Sequence, residues 1–129
     1  MAYEGQGIDL SFTADEDLSS YQYRFVHLAN DNDVDLLDSG SEIPIGILQN
    51  APEQYETAVV RVSGISKLVA NDALAVGAKV KAEYVSASDN GKADAADTDK
   101  DFVRGVVLVA AGAEDDVCTV LLCCDTASI

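Results

Sequence analysis

The sequence predicts an all-β, single-domain protein, a small β-barrel or sandwich of short strands with an extended N-terminal arm. Two observations carry this. Apolar runs of four to nine residues recur along the chain, separated by clusters of Asn, Asp, Gly and Ser, at roughly the ten-residue spacing of small sandwiches and barrels. Within several runs the apolar residues alternate with polar ones, which is strand periodicity. The length of 129 residues fits one domain, large enough to bury roughly two-thirds of its unfolded surface without a metal or disulfide. Aromatics are 6% and Trp is absent, so the core must be built mostly from Val, Ile, Leu and Ala.

Residues 1–17 read as the arm, 18–124 as the β-rich domain and 125–129 as a loose tail. In the arm, Ile8, Leu10 and Phe12 alternate at strand spacing before Asp15-Glu16-Asp17 interrupts. Tyr21 to Leu28 reads as a strand with Tyr21, Tyr23 and Phe25 on one face. Asn30 to Asp33 is a turn, since Asn and Asp satisfy turn backbones with their own side chains. Val34 to Leu37 is a short strand, followed by a turn through Gly40.

Ile43 to Leu48 continues as a strand in which Pro44 implies an edge position or a bulge. A tight turn through Asn50-Ala51-Pro52 leads to a strand over Thr57 to Ser63, then a turn at Gly64 and another strand to Ala70. Asn71 to Gly77 reads as a single helical turn with Asn71 as cap and Gly77 as stop. Lys79 to Val85 is a strand, Asn90-Gly91 a tight turn that tolerates positive φ, and residues 93–101 an exposed acidic loop. Phe102 to Ala110 and Val117 to Cys124 are apolar strands joined by a hairpin loop.

Charge narrows the function classes. Eight basic residues against 23 acidic ones give a net charge of −15. Nucleic-acid binding is driven by Lys and Arg displacing counterions, and anionic membranes attract basic segments; this chain opposes both. No run of 18 apolar residues is present, and the N-terminus lacks the basic and apolar regions of a secretory signal. In a strand Cys118 and Cys123 would point to opposite faces and lie too far apart to bridge, and a ring between the neighbours Cys123 and Cys124 is strained, so the three read as small reduced hydrophobes.

No catalytic, metal or cofactor site is expected. His27 is the single histidine, and no nucleophile motif accompanies it. Asp97-Thr98-Asp99-Lys100-Asp101 opens like a calcium loop. It then has Phe102 where the sharp turn needs Gly and Leu108 where a bidentate Glu belongs. Phosphate-binding, dinucleotide, zinc and nucleophile-elbow motifs are absent.

Several landmarks together resemble the capsid decoration, or cement, proteins of tailed bacteriophages. They are Tyr23-Arg24-Phe25-Val26, the run from Ile45 to Pro52, the run from Val60 to Lys67, Ala73 to Gly77, Asn90 to Ala93, Arg104-Gly105-Val106 and Val120-Leu121-Leu122, in the family's order. The acidic loops and the first dozen residues depart from the family pattern. The resemblance implies a non-enzymatic β-rich protein made in the host bacterial cytoplasm. It would bind the major capsid protein on the outer capsid surface as a homotrimer at three-fold or local three-fold positions.

On that reading Tyr3, Ile8, Leu10 and Phe12 are the capsid-contact candidates, by strand addition to a capsid edge. The competing reading is a β-strand completing the chain's own sheet. Leu48, Gln49, Asn50, Ala51, Pro52 and Arg61 are the trimer-interface candidates, against a reading of Leu48 as core, Asn50 to Pro52 as a turn and Arg61 as surface charge. A fibre or receptor- or glycan-binding subunit is the alternative function, with Tyr3, Tyr21, Tyr23, Tyr55 and Tyr84 as its aromatics. A carboxylate hydrolase assisted by His27 is the third.

Overall fold

The computed structural model describes residues 2, 5–85, 88–96 and 102–126. Nine strands form: β1 (Gly7–Ala14), β2 (Phe25–Asn30), β3 (Asp33–Leu36), β4 (Pro44–Leu48), β5 (Thr57–Val69), β6 (Lys79–Ala82), β7 (Ala93–Ala95), β8 (Phe102–Val109) and β9 (Val117–Thr126). They hydrogen-bond in the order β1-β3-β2-β4-β5-β9-β8-β6-β7, and β1 also pairs with β5. That extra pairing closes β1 to β5 into a five-stranded barrel. The other strands extend from β5 as a second sheet.

The strand β1 closes the barrel because it can pair along both edges. It runs antiparallel to β5 from Gly7↔Gly64 to Thr13↔Thr57, and parallel to β3 at Thr13↔Asp33 and Ala14↔Val34. The predicted arm therefore completes the chain's own sheet.

Two apolar cores result. One lies inside the barrel and contains Ala14, Leu18, Val26, Val34, Leu36, Leu48, Ala58 and Val60. The other lies between the barrel wall and the second sheet and is centred on Phe25, Ile47, Leu68, Val80, Val107 and Val120. Consecutive residues of a strand point to opposite faces. Phe25 and Val26, Leu37 and Leu36, and Ile47 and Leu48 thus send one side chain into each core. Strands buried on both faces lose polar alternation, which is why Ile45 to Leu48 reads as a continuous apolar run.

Several sequence expectations need correction. The strand predicted from Tyr21 starts only at Phe25. Tyr23 has φ of 65°, donates its N–H to Leu48 O and accepts from Val69 N, so Tyr21, Tyr23 and Phe25 do not share a strand face. No helical turn forms over 71–77: Leu74 exchanges backbone hydrogen bonds with Ala111 at 2.9 and 3.0 Å, and Asn71 N donates to Ala93 O. An isolated helical turn is too short to compete with such pairing. Ala93–Ala95, read as loop, is a strand beside β6. Asp125 and Thr126, read as tail, pair with Val103 and Phe102. The acidic stretch 97–101 lies outside the described residues.

The predicted turn at Gly64 is the centre of a 13-residue strand instead. Gly64 adopts φ of +100°, and a Cβ there would overlap the Gln6 carbonyl oxygen. Glycine lets β5 change course without stopping. Its first half serves the barrel, and Ile65 to Val69 pair with β9. Pro44 sits beside a register irregularity between β2 and β4, the bulge that a proline in a central strand requires.

Candidate docking surface

The sequence-predicted contact residues separate into exposed and committed groups. On β1, Ile8 is 59% and Leu10 47% exposed, while Phe12 packs against the barrel core. Tyr3 lies outside the described residues. Between Ile8 and Leu10, Asp9 turns to β5, where both its oxygens accept from Arg61, at 2.7 Å from Nε and 3.1 Å from Nη2. This bidentate pairing is the strong form of a guanidinium–carboxylate contact. Hydrogen bonding to Arg61 holds the Asp9 carboxyl below its ordinary value.

The predicted trimer residues are engaged within the chain. Leu48 is fully buried and Pro52 is buried. Pro52 O accepts from Leu18 N at 2.9 Å. Gln49 Nε2 donates to Ser66 Oγ at 2.9 Å and to Ile47 O at 3.0 Å. Asn50 braces the β4–β5 loop, accepting from Val59 N at 3.0 Å and donating to Thr57 O at 2.9 Å. Arg61 Nη1 adds bonds to Gly5 O and Ile65 O. Of this segment, Ala51 faces solvent.

The sequence reading missed a shallow groove lined by His27, Leu28, Ala29, Ser41, Glu42, Ile43 and Ile45. Leu28 is 50% and Ile43 54% exposed. The groove exists because the β2–β4 pairing ends at His27↔Pro44, whereas β2 runs on to Asn30 beside β3. His27 Nε2 lies 3.3 Å from Glu42 Oε2. Glu42 Oε1 accepts from Asp38 N and Ser39 N at 2.7 and 3.1 Å. His27 thus clips a turn to the barrel wall. Among the described residues no group of three or more His, Cys, Asp or Glu is placed to hold a metal.

The aromatics divide similarly. Tyr55 is 75% exposed, with φ of 68°. Tyr21 and Tyr23 are half-buried under Arg24 and Lys67, at 4.9 and 5.6 Å from the ring centres. Tyr84 packs on the second core. A separate acidic contact lies where the β1–β2 loop meets β3: hydrogen bonding to Asp35, with burial and the charges of Asp35, Asp15 and Asp38, raises Glu16 to about 7.

No family model matches the sequence, and no curated protein matches it. Among solved structures, the chain is similar to the crystal structure of the head fiber gp8.5 N base in bacteriophage phi29. The TM-score is 0.68 at 15% sequence identity, covering 96% of this chain and all (100%) of that one. The barrel with its attached second sheet is thus similar in fold to that solved structure.

Proposed function

We propose that the chain is a non-enzymatic structural module of a tailed-phage virion, bound to the major capsid protein on the capsid exterior. The observation that carries the reading is the end-to-end fold likeness to a phage head-fibre base. The ordered decoration-protein landmarks support it from the sequence. The net charge of −15 suits an exterior position, away from packaged DNA. Exposed Ile8, Leu10, Leu28 and Ile43 offer apolar footholds.

As a decoration protein the chain would stabilise the mature shell against internal DNA pressure, because a ligand that binds only the expanded form favours it by mass action. A homotrimer at a three-fold position would close through head-to-tail contacts and combine three weak footholds into one tight attachment. The second reading, the base of a fibre, is favoured by the identity of the structural neighbour. There the module attaches and carries a further binding element outward.

Co-sedimentation with mature, undecorated capsids of the cognate phage, alongside immature shells, tests both readings. Saturable binding to expanded shells in multiples of three, with a raised temperature of DNA release, is the decoration outcome. Saturable binding that leaves that temperature unchanged is the fibre-base outcome. Absence of binding to either shell overturns both and turns attention to a glycan array.

A further inference from the structure

A recess of about 170 Å³ lies where the barrel wall meets the second sheet, lined by Phe25, Ile45, Gly46, Val62, Ser63, Arg104, Leu122 and Cys123. Its construction is unusual. Val26 pairs with Gly46 and His27 with Pro44, so Ile45 is the extra residue of a bulge in β4. Asp9 pairs with Arg61 and Ile8 with Ser63, so Val62 is the extra residue of a bulge in β5. Val103 pairs with Asp125 and Gly105 with Leu122, which sets Cys123 and Cys124 of β9 against Arg104 alone. Three bulges on three strands therefore bring Ile45, Val62 and Cys123 to the lining of one recess. Bulges redirect side chains and concentrate beside functional sites.

Among the described residues the Arg104 guanidinium in this recess is only partly satisfied. Arg104 Nη1 donates to Val103 O at 3.2 Å, and the guanidinium lies 5.3 Å from the Phe102 ring centre. Its Nε is buried with no acceptor. In a chain with 23 acidic residues, no carboxylate pairs with Arg104 among the described residues. A buried donor without a partner forfeits the full cost of its desolvation. The Nε edge of a guanidinium is the fork that takes a carboxylate through two parallel hydrogen bonds. Beside it, Phe25, Ile45, Val62 and Leu122 present only hydrocarbon. The volume is close to that of an engineered apolar cavity of about 150 Å³ that admits benzene, so it holds a ligand of roughly six or seven heavy atoms.

We propose that this recess binds a short aliphatic monocarboxylate, the Arg104 fork taking the carboxylate and Ile45, Val62 and Leu122 holding the tail. The carboxylate belongs either to a free small acid or to the C-terminus of a partner chain ending in a small aliphatic residue. The site is independent of the capsid-binding proposal.

The test is an NMR titration of the full chain with butyrate, butyramide and butylamine, following the Arg104 Nε–H and the methyl groups of Ile45, Val62 and Leu122. The expected result is a saturable shift with butyrate and binding roughly tenfold or more weaker with the amide and amine, the scale of a lost charge-assisted hydrogen bond. Arg104→Gln, its fold checked by the unperturbed methyl spectrum, should abolish the butyrate response. A short peptide ending in Val, as free acid and as amide, separates the sources. Preference for the peptide acid over butyrate assigns a chain terminus; the reverse assigns a free acid. Equal response to butyrate and butyramide in the unmodified chain, or no saturable shift with any carboxylate, overturns the proposal even if Arg104→Gln fails to fold.

Discussion

The barrel and the second sheet solve one problem, closing an open edge, in two different ways. The barrel closes with backbone: β1 lies along β5 from Gly7 to Thr13 in an antiparallel ladder interrupted only by the bulge at Val62. The second sheet closes through isolated bridges at Ala70 and Leu74 instead of a ladder. Ala70 forms an isolated parallel bridge to Ala93, donates to Asp116 O and accepts from Asp115 N. Side-chain charge then finishes the closure. Lys92, 4% exposed, reaches Asp89 at 2.7 Å and Asp115 at 2.5 Å, tying the β6–β7 turn to the β8–β9 loop. Ladders are distributed and tolerate local damage, whereas a closure through isolated bridges and one buried ammonium is concentrated.

Removing residues 2–13 should break the barrel outright. Without β1 the inner face of β5 is an open apolar edge, and we expect loss of a cooperative thermal transition; a folded, soluble monomer after this deletion would contradict the closure. Next in size are Ile47→Ala and Leu48→Ala, each expected to cost about 2–5 kcal/mol by urea unfolding. Because these neighbours fill different cores, the double variant should be additive to within roughly 0.5 kcal/mol. Strong coupling would mean that the two cores behave as one.

The charged closure should be weaker. Burial works against the Lys92 ammonium, but the hydrogen bonds it donates to Asp115 and Asp89, with their charges, outweigh it and hold its pKa above the ordinary value. Lys92→Ala is expected to cost roughly 1–3 kcal/mol. The native lysine's contribution is complete below its ordinary value of 10.5 and fades as pH rises through the higher folded value. A variant as stable as the parent at neutral pH would show that the backbone contacts at Ala70 suffice alone.

The smallest effect belongs to Glu16. Its folded value of about 7 exceeds the ordinary 4.5, so its proton-linked stability is full below 4.5 and is lost as pH climbs through about 7. Glu16 is exposed, which limits the effect to under about 1 kcal/mol. Glu16→Gln should flatten the decline in thermal stability from mildly acidic to mildly alkaline pH; an unchanged decline would place the linked proton elsewhere.

Legibility followed local chemistry. The turn at Asn30 to Asp33 was readable because Asn suits positive φ, and Asn32 adopts 60°. Asn90-Gly91 was readable for the same reason, with Gly91 at +82°. The long strands β8 and β9 announced themselves by apolar content. What stayed hidden was set by pairing at a distance. Tyr23 looks like a strand residue until Leu48 and Val69 claim its backbone, and Gly64 looks like a stop until β1 lies against it. Alternation put Ile8, Leu10 and Phe12 on one face but did not show that Ile8 and Leu10 are exposed while Phe12 packs on the barrel core. The recess was invisible because a bulge is a property of two strands and not of a residue. Its one sequence trace is Arg104, a lone charge inside the apolar run from Phe102 to Ala110.

The uninterrupted course of β5 through Gly64 has a consequence for how the molecule can come apart. One thirteen-residue strand runs from one half into the other, so there is no linker for a protease to find between them. A cut on either side of Gly64 strips a wall from one half and leaves the other with a dangling remnant. Limited digestion should therefore pass from intact protein to small peptides without a stable half-sized fragment. A pull applied to one half reaches the other along covalent bonds, a useful property wherever the chain is fixed at one end and loaded at the other.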